Sequence, residues 1–346
     1  MSGRIDYEHM DKNVKVDLKD RRILSLLSEN ARMPLTQIAK KVQLSRDAVN
    51  YRVKRLQDKG IILKFTANIS YSKLGFKLFH IFLLLDERDK EKQKALIEQV
   101  KNHPNVLSVI EYSDRWDLEI AIIARNILEF DKILSGISES FPEIILEKEK
   151  LEVIRRYNSD YVPPLINESH ITEKIEYYAE KTVQLDETDI KLLKILTEDS
   201  RMSTYIIGEK LGINADTVSY RIKKLLKENI IRFFTILVSF SLLKYHWYTF
   251  SIEMKYFNFQ NEKKFEAFLD KNPSIVRSAK TLGRWDLLLY VVVENRAEYH
   301  HIMKDVKNVF GDIIKNYDTW IAYREHIFKT FPEIMLEEIK NSALKY

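Results

Sequence analysis

The chain has 346 residues, of which 45% are hydrophobic and 31% charged, with a net charge of +5 and no cysteine. That length allows about two to four domains with real cores. The balance excludes a disordered chain, and the lack of cysteine excludes disulfide staples and thiolate metal sites. Residues 1–13 are polar and lack the apolar stretch of a signal peptide, and no run approaches the ~20 apolar residues that span a bilayer. A cytoplasmic protein of a reducing compartment, without membrane contact, is expected.

In chain order the first elements have helical spacing. Ile23, Leu24, Leu26 and Leu27, then Leu35, Ile38, Ala39 and Val42, then Val49, Val53 and Leu56 predict three short helices. Pro34 fits the first turn of the second helix, Ser45 the N-cap of the third, and Gly60 follows its end. After about residue 75 the period becomes strand-like, with Phe79, Ile81, Leu83 and Leu85 alternating. A polar helix is predicted from Asp89 to Asn102. Two strands follow, Val106 to Tyr112 and Asp117 to Ala124, then a helix from about Asn126 to Ser140 and a strand from Ile144 to Ile154. The order βαββαβ is ferredoxin-like. Pro163-Pro164 interrupts regular structure, and Ile171 to Lys181 suits a linking helix.

Then the pattern starts again. Arg32-Met33 returns as Arg201-Met202, Val49-Asn50-Tyr51-Arg52 as Val218-Ser219-Tyr220-Arg221, and Arg115-Trp116-Asp117 as Arg284-Trp285-Asp286, each 169 residues on. The register holds without a gap over roughly 140 residues, too long for a solenoid repeat. The fold expected is α+β: two winged or trihelical helix-turn-helix domains (16–65 and 185–234) alternating with two ferredoxin-like domains (74–157 and 243–330), joined by a linker (158–184). The second copy repeats the helices with Leu192, Leu193 and Leu196, then Ile206, Ile207 and Leu211, then Val218, Ile222 and Leu225. Its strands and helices are expected at Tyr248 to Met254, Lys263 to Lys271, Ile275 to Thr281, Asp286 to Val293, Ala297 to Val309 and Ile313 to Tyr323.

The motif that carries function is the capped third helix. With its apolar positions packed inward, Arg46, Asp47, Asn50, Tyr51 and Lys54 project from one side. A helix fits the major groove, where Arg reads guanine and Asn reads adenine through paired hydrogen bonds. Ser45 leads into that helix, and Lys40, Lys41, Arg52 and Arg55 lie nearby to neutralise phosphates. One basic helix is more often a merely solvated face. Here the trihelical spacing, the cap and the local charge favour DNA: 12 Lys and Arg stand against 5 Asp and Glu between Asp17 and Lys64. The second copy offers Asn214 as the cap, then Asp216, Ser219, Tyr220, Arg221, Lys223 and Lys224, with Ala215 in place of Arg46 and Ser219 in place of Asn50. Its equivalent span has 9 basic against 8 acidic residues, so it is expected to bind more weakly or with different specificity.

These residues resemble two fused members of the Lrp/AsnC (feast/famine) family of transcription regulators. The resemblance rests on Asp17-Leu18-Lys19-Asp20-Arg21-Arg22-Ile23-Leu24, on the Leu44-Ser45 entry to the third helix, and on Arg52-Val53-Lys54-Arg55-Leu56 followed by Gly60-Ile61-Ile62. It covers nearly everything except about the first fifteen residues and the linker. It implies a sequence-specific DNA-binding regulator whose βαββαβ halves bind a small effector, often an amino acid, and mediate oligomerisation. Because family members are usually one unit long and dimerise, the fusion implies an internal pseudo-dimer, with a homo-oligomer as a further expectation. No cofactor is implied.

In the family a Gly-x-x-Asp loop marks the effector site. Gly283, Arg284 and Asp286 keep that pattern, whereas Asp114, Arg115 and Asp117 place Asp where Gly is expected, a residue that tolerates positive φ. Arg and Asp there suit the two ends of an amino acid. The plainer reading makes Trp116 and Trp285 core residues and the charges loop ties. The sheet faces also differ: Leu78, Phe82 and Leu84 are apolar where the second copy has Trp247, Ser251 and Glu253. A sheet with one face in water alternates, so the second face of the first copy is expected to be covered, by another effector domain.

Two rivals remain. Siroheme decarboxylases share this plan and can be tandem, with a histidine-bearing run around the second and third strands. Here Val106 to Asp117 contains no histidine, His103, His80 and His246 align with Asn272, Thr249 and Lys77, and His300 and His301 diverge by about 100° on a helix. No metal-ligand spacing results, and an enzyme is not expected. The other rival is a sensor or scaffold that does not bind DNA.

Overall fold

The computed structural model describes residues 3–8, 14–159, 162–164, 166 and 182–343. The first copy runs α1 (Leu18–Glu29), α2 (Leu35–Val42), α3 (Arg46–Asp58), β1 (Ile62–Ile69), β2 (Lys77–Leu85), α4 (Lys90–Asn102), β3 (Val106–Tyr112), β4 (Leu118–Ala124), α5 (Ile127–Ser140) and β5 (Ile145–Ser159). The second runs α6 (Glu187–Glu198), α7 (Thr204–Leu211), α8 (Ala215–Lys227), β6 (Ile231–Val238), β7 (His246–Met254), α9 (Phe259–Leu269), β8 (Ile275–Leu282), β9 (Leu287–Val293), α10 (Arg296–Phe310) and β10 (Ile314–Phe328), followed by α11 (Ile334–Ala343). The linking helix expected over Ile171 to Lys181 lies outside the described residues.

Local chemistry accounts for the helix ends. Asp17 and Asp20 form a reciprocal capping box at α1. Ser45 Oγ accepts from Ala48 N at α3, and Asn214 Oδ1 from Thr217 N at α8. Gly60 takes a left-handed φ of 76° just after α3. Pro34 stands at the N-cap of α2, one place earlier than expected.

Each βαββαβ half builds a four-stranded antiparallel sheet, β3-β4-β2-β5 and β8-β9-β7-β10. Phe79, Ile81, Leu83 and Leu85 pack under α4 and α5. β5 and β10 are both 15 residues long, and they pair with β8 and β3 of the other copy, closing an eight-stranded barrel. The expected ends at Ile154 and Tyr323 were short because the added residues find their partners on the opposite copy, a non-local pairing that no alternation within one copy announces.

The covered face of the first sheet is this barrel's interior. Phe82 lies 5.3 Å from Trp285 and 5.2 Å from Trp320, ring centre to ring centre. The cover is the second copy of the same chain, and it is mutual: Ser251 is as buried as Phe82.

The helix-turn-helix layer is joined by β1 pairing antiparallel with β6. Thr66 stands opposite Thr235, its own counterpart in the repeat, so a pseudo-dyad passes between them. Arg32 Nη1 donates to the carbonyls of Ser200 and Met202, and Arg201 Nη1 to those of Ala31 and Met33. One apolar core takes in both trihelical units and Met335 of α11. Domain ends at 65 and 234 therefore cut through β1 and β6, and α11 lies beyond the last expected domain.

Residues 3–8, outside both copies, are part of the fold. Arg4 and Glu325 are each 1% exposed and form a buried ion pair, with Arg4 N also donating to Glu325 Oε2 at 2.8 Å. Ile5 is fully buried in the barrel core, and Phe240 N donates to Arg4 O.

Candidate nucleic-acid interface

Val49, Val53 and Leu56 are buried and hold α3 on the other helices. Arg46, Asp47, Asn50, Tyr51 and Lys54 are exposed on its outer side, with Tyr51 68% exposed. Lys40 and Lys41 are exposed at the end of α2. Arg46 Nη1 lies 3.8 Å from Asp47 Oδ1, an exposed contact worth little, so the guanidinium remains available. The structure thus gathers seven of the expected residues on accessible surface of one trihelical unit. Ser45 also lies there, with its Oγ occupied by the cap.

Arg52 and Arg55 are placed differently from the expectation that they neutralise phosphates. Arg52 Nη1 donates to Asp17 Oδ2 at 2.7 Å and Asp20 Oδ1 at 2.8 Å, and Arg55 pairs with Asp20. The Asp20 side chain is fully buried, so these guanidinia fasten α3 to α1. Burial works against ionisation of Asp17, but Arg52 and the backbone N–H groups of Asp20 and Lys19 outweigh it, holding the carboxyl below its usual range. The second copy repeats the device. Arg221 Nη1 donates to Asp186 at 2.7 Å and Asp189 at 2.6 Å, with Lys224 Nζ 3.8 Å from Asp189. The matching Asp and Arg spacing in both copies was a readable sign of an internal pair.

On α8, Asp216, Tyr220 and Lys223 are exposed, while Ser219 Oγ donates to its own helix at Ala215 O. Glu209 stands where the first copy has Lys40. The two outer faces have the same shape and different charge.

The loop residues considered for an effector turn out to have structural partners. Asp117 and Asp286 accept from the backbone N–H groups of Leu85 and Met254 at the ends of β2 and β7, at 2.6 and 2.7 Å. Gly283 has φ 150°, and a Cβ there would lie 2.5 Å from Lys150 O. Asp114 does not take a positive φ; its carboxylate accepts from Ile321 N at 2.7 Å instead. Arg115 lies over Trp116 and 3.3 Å from Glu147, and Arg284 lies over Trp285. Both tryptophans are core residues of the barrel.

Sequence reasoning missed a buried polar cluster inside the barrel. Glu119 Oε1 is 2.6 Å from His80 Nδ1, and the hydroxyls of Tyr112 and Tyr290 both donate to its carboxylate. Burial raises the Glu119 pKa, but the His80 hydrogen bond and charge and the two hydroxyls outweigh it, leaving it lowered. Burial pushes both tyrosines well up. The available signal was a carboxylate inside an apolar strand whose counterpart, Leu288, is apolar. The cluster borders a cavity of about 70 Å³ that also has Arg156 and Arg277 in its wall.

Comparison with known proteins bears on both trihelical units. A winged helix-turn-helix DNA-binding model matches residues 16–62, and an AsnC-type helix-turn-helix model matches residues 185–226. The HTH-type transcriptional regulator LrpA of Pyrococcus horikoshii is 36% identical over 145 residues, covering 39% of this chain and 99% of that protein. The proline dehydrogenase transcriptional activator of Rhodobacter capsulatus is 30% identical over 132 residues, covering 37% of this chain and 84% of that protein. The chain resembles the crystal structure of the siroheme decarboxylase NirDL, with a TM-score of 0.61 at 13% identity, covering 95% of this chain and 100% of that one. Likeness at that identity is one of architecture: two units in tandem, folded on each other.

Proposed function

The chain belongs to the Lrp/AsnC family of transcription regulators, with two units in one polypeptide, and from that premise we propose that it binds duplex DNA sequence-specifically through α3. The observation that carries this reading is the exposed row Arg46, Asn50 and Lys54 on a helix clamped from behind by Arg52 and Arg55. In the major groove Arg46 would pair with guanine and Asn50 with adenine, and Lys40, Lys41 and Lys54 would meet phosphates. The pseudo-dyad through Thr66 and Thr235 gives α8 the equivalent position on a second half-site. Its Asp216, Ser219, Tyr220 and Lys223 make it the weaker half. Arg221 and Lys224 are assigned to holding α8.

Fluorescence anisotropy on duplexes selected from a random pool tests this. Replacing Arg46 with Ala should cost about 1–3 kcal/mol and relax the sequence preference, and replacing Lys54 should lower the salt slope by about 1. Position 215 is already Ala, so the mirrored comparison is Lys54→Ala against Lys223→Ala. Equal losses would reject the asymmetry between the halves. Architecture shared with an enzyme carries no activity to this chain; a siroheme-type tetrapyrrole that leaves the absorbance spectrum unshifted agrees with a regulator. Modulation by a small effector is part of the proposal, and the loops at Asp114 and Gly283 are assigned to fastening the barrel rim.

A further inference from the structure

The repeat makes the two sides of the barrel comparable residue by residue. On one side the chain fills a site with its own Arg4. That guanidinium pairs with Glu325 and lies over Phe328, Trp247 and Phe240. The counterparts of Glu325, Trp247 and Phe240, 169 residues earlier, are Arg156, Leu78 and Tyr71. All three line the cavity of about 70 Å³. The twin of a filled site is therefore hollow, and its charge is inverted.

We propose that this cavity binds a small apolar monocarboxylate, with Arg156 as the partner of the carboxylate. A cation fits beside Glu325; an anion fits beside its replacement. Arg277 also lines the cavity, with its guanidinium 5.0 Å over the Phe328 ring, and Lys329 lines it with its ammonium turned to His103 O at 3.0 Å, while Glu119 supplies the carboxylate of the lining. The neighbouring Arg155 pairs with Glu262 and Glu266, whereas among the described residues no carboxylate pairs with Arg156. Arg with a carboxylate is a strong, directional pair where water is scarce. The wall also carries apolar Leu78, Leu107 and Val153, beside the polar side chains of Ser108, Asn158 and Ser278. The volume holds about five waters, the scale of a metabolite rather than a polymer.

The same wall selects against an ammonium group. Glu119 is the acid in the lining, and it is already engaged by His80, Tyr112 and Tyr290. A zwitterionic amino acid would bury its cation among cations, which is costly. The ligand class is therefore an acid with a branched or aromatic body and no amine. Leu78 and Val153 also belong to the apolar core shared by the trihelical units, so an occupant would touch that core. The inference does not rest on DNA binding, because it is read without DNA.

Calorimetric titration of the full chain tests it, with 4-methylpentanoate, 4-methylpentanamide and L-leucine as probes. The expected result is saturable binding of the acid at one per chain, with the amide and leucine at least about tenfold weaker. Arg156→Gln should weaken the acid by about tenfold or more. Leu78→Trp, which copies the residue of the filled twin site, should abolish binding and provides a second variant should the first not fold. The proposal is overturned by leucine binding as tightly as the acid, by acid binding that survives both substitutions, or by no saturable heat at millimolar acid.

Discussion

Arg52 sits on α3 between Tyr51 and Val53, yet its guanidinium reaches back to Asp17 and Asp20. Arg52→Ala should therefore lower stability by about 1–3 kcal/mol, because buried Asp20 loses a charged donor. Asn50→Ala, on the exposed face, should leave the urea midpoint almost unchanged while weakening DNA binding. The depressed carboxyls of Asp17 and Asp186 add a pH dependence. Their folded pKa lies below the unfolded one, so their contribution is present above the ordinary carboxylate range and fades as the pH falls through the folded value. Urea midpoints should drop on acidification from neutral towards pH ~3, and replacing both aspartates by Asn should flatten that drop. Residues whose role is set by near neighbours were legible in the sequence, as with the caps Ser45 and Asn214. The partners of Arg52 and Arg55 lie at another helix, so no local pattern assigns them, and the sign of their role is the recurrence of the same Asp and Arg spacing in the second copy. Glu119 escaped because its purpose exists only once four strands meet.

At the scale of elements, the three-helix units and the βαββαβ order were readable from periodicity, which acts over a few residues. What was not readable is long-range. The last stretches of β5 and β10 have partners only in the opposite copy. Segment 3–8 gains its place from long-range contacts alone, among them the buried ion pair of Arg4 with Glu325 and the burial of Ile5 in the barrel core. Removing one member of such a pair strands the other in the core. Arg4→Ala should cost about 3–5 kcal/mol in chemical denaturation, and adding Glu325→Leu should recover much of that loss. Equal stability of Arg4→Ala and the parent would show that the segment is an ornament of the fold.

The molecule as a whole is two units related by a pseudo-dyad, with one trihelical layer and one closed barrel. Arg32 and Arg201 make reciprocal contacts across that dyad, which explains why the arginine recurs in both copies. The pairing expected from the fusion is intramolecular, so the thermal midpoint should not change on dilution, as it would for a pair held together by association. Light scattering reads any assembly beyond the single chain. The copies diverge in what faces outward on α3 and α8 and in what lines the barrel, two places where a duplicated molecule can specialise without losing its core.

The central claim is that the basic trihelical face grips duplex DNA. The direct measurement is anisotropy of a selected duplex titrated with the full chain at rising salt. The account predicts tight binding at low ionic strength, a linear fall of log affinity with log salt, and loss of both affinity and preference in Arg46→Ala/Lys54→Ala. Failure to bind any duplex at low ionic strength would contradict it.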